Sequence, residues 1–172
     1  MKPFANRHSH FTSSTPMKAN QLSPDFKEFV ELLNAHEVEY LIVGAFAVAR
    51  YGVVRNTGDI DVWMRQTPKN AARLVQVLAD FGLTSLGYTV DDFMEKDIIV
   101  QLGFQPFRIA VLTVIDGVSF EECYPNRQES VLDGVPLAVI SIHDLRRNKA
   151  STGRAKNQED LRLLSLEKPN EE

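Results

Sequence analysis

One stretch of the sequence constrains the fold most: YLIVGAFAVARYGVVRNTGDIDVWM, in which a glycine closes one apolar run and two aspartates lie inside the next. Tyr40–Val43 and Asp59–Met64 have the composition of strands. Successive side chains of a strand point to opposite faces, so Asp59 and Asp61 are predicted to share a face, about 6.5–7 Å apart. Two such carboxylates are costly to keep charged without a cation, and their oxygens suit Mg²⁺ with a bound phosphate. The pattern indicates a metal–nucleotide site.

Each part of this pattern also has a plainer interpretation. Gly44 lies where a strand passes into a helix, where backbone N–H groups can hold a phosphate, but many such glycines only make a turn. Asp59 and Asp61 alternate with Ile60 and Val62, and charged residues are rarely buried without partners. The alternative is an edge strand with one solvated face.

Composition narrows the class of protein. With 172 residues, 44% of them hydrophobic, the chain is long enough for one domain with a core. A net charge of −4 and a pI near 5.6 argue against binding nucleic acid through bulk positive potential, although a local basic stripe is compatible with them. The single cysteine, Cys123, cannot form an internal disulfide. No apolar run approaches the roughly 20 residues of a membrane span, and the cytoplasm is the expected location.

Three regions are expected along the chain. Residues 1–20 are polar and have no apolar period, which predicts a disordered leader. Residues 21–166 are predicted to form the domain, and residues 167–172 a flexible tail. Met17 lies just before the first patterned segment, so translation could begin there or at Met1.

The order of predicted elements indicates the fold class. Ser23-Pro24 and Thr67-Pro68 are predicted helix starts. The helix that begins at Thr67-Pro68 is predicted to bury Ala72, Val75, Leu78 and Ala79. The later part is predicted to form several strands, at Ile98–Leu102, Arg108–Ile115 and Leu137–Ile140. Helices are then expected from Ser141 to Leu145 and from Glu159 to Leu166. This order is neither a regular βαβ repeat nor a segregated sheet. It predicts an α+β domain in which helices flank a small mixed β-sheet.

These motifs together resemble a known superfamily. A strand ending in Gly44 and a small residue, a short helix, and then Asp–apolar–Asp–apolar is similar to the nucleotidyltransferases related to DNA polymerase beta. The segments QLGFQPFRIAVLTVIDGVSFEE and SIHDLRRNKASTGRAKNQEDLRLL extend the resemblance over roughly residues 25–166. The chain resembles minimal bacterial members, some of which act as toxins or abortive-infection factors.

The resemblance implies an activity and a site. Gly44 and Ala45 would cradle the triphosphate of an NTP, and Asp59 and Asp61 would be the catalytic carboxylates that hold Mg²⁺ or Mn²⁺. The reaction would transfer a nucleotidyl group to a hydroxyl of RNA, a protein or a small molecule. Ala45 stands where the family usually has Gly or Ser, a mild departure because the backbone N–H remains.

Further candidates could contact the nucleotide. Arg55 and Thr57, just before the aspartates, could reach phosphate oxygens, or could make only local turn contacts. Lys149 and Arg154 resemble cations that face the nucleotide or acceptor, and a solvated helix end explains them about as well. The other cations of this segment are expected to be solvated: Arg146, Arg147 and Lys156.

One departure from the family is serious. The strand that usually supplies a third carboxylate has Ala110 at the matching position, and alanine can neither bind a metal nor accept a proton. Asp97 and Asp116 are not convincing replacements. A second hypothesis is therefore a catalytically impaired nucleotide-binding protein that acts with a partner, for instance in a toxin–antitoxin pair. A third is an interaction domain whose aspartates are merely solvated.

Overall fold

The strand-like runs of the sequence form one sheet. In a computed structural model, which describes residues 22–53, 55, 58–104 and 107–166, this sheet has six strands. In chain order they are β1 (Tyr40–Val43), β2 (Asp59–Met64), β3 (Ile99–Phe104), β4 (Phe107–Leu112), β5 (Gln128–Leu132) and β6 (Val135–Val139). The predicted leader and tail lie outside the described residues.

The strand order places the two aspartates inside the sheet. Across the sheet the order is β3-β4-β2-β1-β6-β5, so β2 has a neighbour on each side. β2 pairs antiparallel with β1 and parallel with β4, and β1 pairs parallel with β6. The remaining two pairs, β3–β4 and β5–β6, are antiparallel hairpins. This mixed sheet, flanked by helices, confirms the predicted α+β class.

Several helices begin where the sequence predicts a capping hydroxyl. Ser23, Thr67 and Ser141 each accept a hydrogen bond from a backbone N–H of the first helical turn, at 3.3, 3.3 and 3.1 Å. The helices of the described residues are α1 (Pro24–Ala35), α2 (Gly44–Arg50), α3 (Pro68–Asp80), α4 (Val90–Met94), α5 (Phe120–Cys123), α6 (Ile142–Ser151) and α7 (Ala155–Leu166).

The buried face of α3 differs from the predicted one. Of the predicted stripe only Leu78 is fully buried. The buried side chains of this helix are Asn70, Ala71, Leu74, Val77 and Leu78. The buried residues keep the helical period, but the true stripe is rotated by about one residue from the predicted one, so that Ala71 and Leu74 are buried where Ala72 and Val75 were predicted. Asn70 belongs to the buried face because its amide accepts from the backbone N–H of Glu39 at 2.8 Å and donates to the carbonyls of Glu39 and Arg65, both at 2.9 Å.

The two C-terminal helices are longer than predicted. α6 continues from Leu145 to Ser151, and α7 begins at Ala155 rather than Glu159. The added turns are polar, and a buried ion pair between Lys149 and Asp160 joins the two helices. No helix of the described segments is both long and apolar enough to cross a membrane.

Candidate functional site

Asp59 and Asp61 lie on an interior strand, on one face of the sheet. Ile60 and Val62 alternate with them and are fully buried on the opposite face. β1 and β4 lie on either side, so the edge-strand alternative is wrong. Both carboxylates are half-buried. We call the face that carries them, with the neighbouring side chains of β4, the β2 face.

Gly44 lies directly against one of the carboxylates. Val43 is the register partner of Asp61 in the β1–β2 pair, and Gly44 follows it with φ +69°. A Cβ added to Gly44 would lie 1.9 Å from Oδ2 of Asp61. Because only glycine combines this backbone angle with so close an approach, Gly44 does more than make a turn.

Arg108 engages the other carboxylate. It is the register partner of Asp59 in the parallel β2–β4 pair, so the sheet itself places the two side chains beside each other. Its Nε donates to Oδ1 of Asp59 at 3.2 Å, and its Nη2 donates to Oδ2 at 2.8 Å. This is a bidentate pair, the strongest arrangement of arginine with a carboxylate.

Ala110 stands beside Asp61. It is the register partner of Asp61 on β4, two residues after Arg108 and on the same face. The side chain is small, apolar and buried. The β2 face therefore carries two carboxylates and one guanidinium. It has the methyl group of Ala110 at the position where the family resemblance implied a third carboxylate.

Asp61 lies in an environment that disfavours its charge. Burial raises the pKa of the Asp61 carboxyl above its ordinary value, and the negative charge of Asp59 raises it further. Lys149, Lys156 and Arg108 oppose this shift without cancelling it. A folded protein that holds Asp61 ionised therefore gives up some of its stability.

Removing the charge of Asp61 should stabilise the protein at neutral pH. Each unit by which folding raises the pKa corresponds to about 1.4 kcal/mol, and about 1 kcal/mol raises the Tm of a domain this size by about 2–4 °C. We therefore expect Asp61→Asn, which keeps the shape, to raise the Tm at pH 7 by a few degrees. Since the pKa is raised, the penalty disappears as the pH falls below the unfolded value of about 3.9, and the gain should vanish there.

Thermal denaturation of both proteins between pH 3 and pH 8 measures this difference directly. Groups that do not interact with Asp61 titrate alike in the two proteins, so their contributions cancel in the difference. A lower Tm for Asp61→Asn at pH 7 would instead indicate a structural aspartate.

A buried charge cluster includes Lys149, one of the cations that act on Asp61. Asp160, on α7, is fully buried and forms ion pairs with Lys149 of α6, at 3.0 Å, and with Arg55. Lys149 also donates to Oδ1 of Asn157 at 2.9 Å. The cluster joins both C-terminal helices to the segment that precedes β2. The charge of Lys149 is thus balanced mainly by Asp160, although it still acts on Asp61.

The other predicted site residues are less closely grouped. Ala45 follows Gly44 in the first turn of α2 and is half-buried, whereas Arg154 is exposed just before α7. Lys156, also exposed, is close enough to lower the pKa of Asp61. Thr57 lies outside the described residues.

Sequence reasoning missed two residues of this region. Arg108 precedes Ala110 by two positions in a strand-like run, so a shared face could have been inferred from strand alternation. Its pairing with Asp59 follows only from the parallel register. Asp160 is four residues before the buried Leu164 on α7, a spacing that puts both on one helix face.

The side chains of the β2 face do not fit a site for two divalent ions. Such a site uses several carboxylates to hold both ions. In the part of the chain that the structure describes, no group of three or more Asp, Glu, His or Cys side chains could hold a metal. Both oxygens of Asp59 are engaged by Arg108, and Ala110 provides no ligand. Asp61 remains as the carboxylate that could contact a cation.

Comparison with known proteins defines the fold. No protein-family model and no curated protein matches the sequence. LnuA, a lincosamide antibiotic adenylyltransferase solved with lincomycin bound, has a similar structure: the TM-score is 0.53 at 13% identity, over 87% of this chain and 99% of that one. TM1012 of Thermotoga maritima, whose assignment as a nucleotidyltransferase is provisional, is also similar. Its TM-score is 0.52 at 15% sequence identity, over 83% of this chain and 91% of that one. The chain has a nucleotidyltransferase-like fold, as its sequence resemblance implied.

Proposed function

We propose that this protein binds a nucleoside triphosphate on the β2 face and that its ability to transfer the nucleotidyl group is weakened or lost. Three features support binding: the fold, the approach of Gly44 to Asp61, and the cations around the two aspartates. LnuA, a protein of similar fold, is an adenylyltransferase. The acceptor would be a hydroxyl of RNA, a protein or a small molecule, and the triphosphate would carry Mg²⁺ or Mn²⁺ as its counter-ion.

The observation that carries the proposal is Ala110 beside Asp61. In nucleotidyl transfer a hydroxyl loses its proton and attacks the α-phosphorus while pyrophosphate leaves. A carboxylate at position 110 would be well placed to prepare that hydroxyl. A group that acts mainly in the transition state affects turnover more than affinity, so its absence leaves binding largely intact.

The other predicted residues have lesser roles in this proposal. Gly44 and Ala45 would offer backbone N–H groups to the phosphates, and the exposed Arg154 would be free to approach them. Thr57 remains a prediction from the sequence. Lys149 contributes through its field, since its ammonium is paired with Asp160. A partner protein of the toxin–antitoxin kind also remains a prediction.

Two measurements test the proposal. The first is the Tm shift produced by each NTP with Mg²⁺, which reports binding to the folded state. The second is transfer of label from α-labelled NTPs to total cellular RNA and protein. Both use the natural protein, Asp61→Ala, Ala110→Asp, and Ala110→Asn as the uncharged control of nearly equal shape.

We expect an NTP to raise the Tm of the natural protein, and label to be moved only by Ala110→Asp. Efficient transfer by the natural protein that disappears in Asp61→Ala would contradict the loss of catalysis and indicate an enzyme with two carboxylates. Absence of any Tm shift with every NTP would contradict nucleotide binding and favour an interaction domain.

A further inference from the structure

The pairing of two strands fixes the positions of Arg108 and Asp59 relative to each other. They are register partners on adjacent parallel strands in the interior of the sheet. The side chains are 28% and 36% exposed, and both carboxylate oxygens accept from the guanidinium. A pair held in this way loses little conformational freedom when it forms.

This pair changes the charge that a divalent cation would meet. Asp59 and Asp61 contribute two negative charges, and Arg108 returns one positive charge to the same face. A divalent cation could bind Asp59 only by displacing two charge-assisted hydrogen bonds. It would then lie beside a guanidinium that repels it, with no ligand from Ala110.

The same guanidinium suits an anion. Arginine has five N–H donors in a planar fork that matches phosphate geometry, and Asp59 uses two of them. The side chain is partly exposed on the β2 face, and the exposed Lys156 adds a second cation near Asp61. The remaining donors of Arg108 can therefore reach a phosphate group on that face.

We infer that Arg108 takes the place of a divalent cation beside Asp59, so that this face keeps metal off Asp59 and takes the phosphates of a nucleoside triphosphate through the guanidinium, whether or not the triphosphate carries a divalent ion. The phosphate half of this inference rests on the proposed function. The metal half does not, because it concerns only Asp59, Arg108 and a free cation.

The metal half is tested with MnCl₂ alone. Electron paramagnetic resonance of free Mn²⁺ measures its binding to the natural protein, to Arg108→Gln and to Arg108→Lys. The matched control is Arg127→Gln, which removes a half-buried arginine that pairs with Glu129 at 3.4 Å near β5, away from the β2 face. Circular dichroism and the Tm establish that each variant is folded.

We expect Arg108→Gln to bind Mn²⁺ at least about tenfold more tightly than the natural protein, and Arg127→Gln to bind it like the natural protein. Arg108→Lys, which keeps the charge but lacks the fork, should lie between them. Equal Mn²⁺ affinity in the natural protein and both Arg108 variants would overturn the exclusion of metal by Arg108.

The phosphate half is tested by calorimetric titration of ATP in EDTA and in Mg²⁺. We expect the natural protein to bind in both, with affinities within about threefold, and Arg108→Gln to lose at least about tenfold in EDTA. Binding that requires Mg²⁺ would overturn this half. If ATP binds under neither condition, the proposed function has failed, and the Mn²⁺ titration still decides the role of Arg108.

Discussion

Gly44→Ala should lower the free energy of unfolding by about 3–5 kcal/mol, because two costs meet at this position. The added methyl group would overlap the Asp61 carboxylate, whose Oδ2 lies 1.9 Å from the Cβ position. The backbone, at φ +69°, also lies in a region that alanine rarely adopts. Chemical denaturation of the natural protein and Gly44→Ala measures the loss.

Gly87→Ala separates the two costs. Gly87 has a similar φ of +62°, but a Cβ there would meet nothing within 4 Å. Gly87→Ala should therefore lower the free energy of unfolding only by the backbone cost, about 1–2 kcal/mol. Adding Asp61→Ala to Gly44→Ala should restore part of the lost stability, because the overlapping carboxylate is removed. Equal losses at positions 44 and 87 would contradict the close approach of Gly44 to Asp61.

The features of the fold that sequence reasoning predicted are the ones that depend on local periodicity. Strand alternation places Asp59 and Asp61 on one face whatever lies beside them, and the structure has them so. The strand β5 was missed because its sequence QESVL buries only Leu132 and so has no apolar pattern. α5 was missed although Ser119 and Glu122 form a capping box, a pattern visible in the sequence.

The features of the site that were missed depend on pairing between distant segments. Asp59 and Arg108 are 49 residues apart, and Arg55 and Asp160 are 105 apart. A single sequence indicates that a charged residue in a buried segment needs an oppositely charged partner, but it does not identify that partner. The resemblance placed Ala110 at a metal-binding position, and the register puts it beside Asp61. That the guanidinium of Arg108 neutralises Asp59 follows only from the pairing of β2 with β4.

Asp160→Asn is expected to cost about 3–5 kcal/mol of folding free energy, because it leaves two cations without their buried counter-charge. Asp160 is fully buried, and it faces both Lys149 and Arg55. The amide keeps the size of the side chain, so the loss comes from charge rather than from a cavity. Urea denaturation of the natural and variant proteins measures it.

The neighbouring Glu159 provides the matched control. It pairs with Arg162 at 2.8 Å on the exposed face of the same helix, where solvent screens the pair, so Glu159→Gln should leave the denaturation midpoint unchanged. Lys149→Met should also destabilise the protein, and adding it to Asp160→Asn should cost less than the two losses together, because each change removes the charge that the other leaves unpaired. Additive losses would mean that Lys149 and Asp160 do not depend on each other, and the cluster would then not be what joins α6 and α7 to the segment before β2.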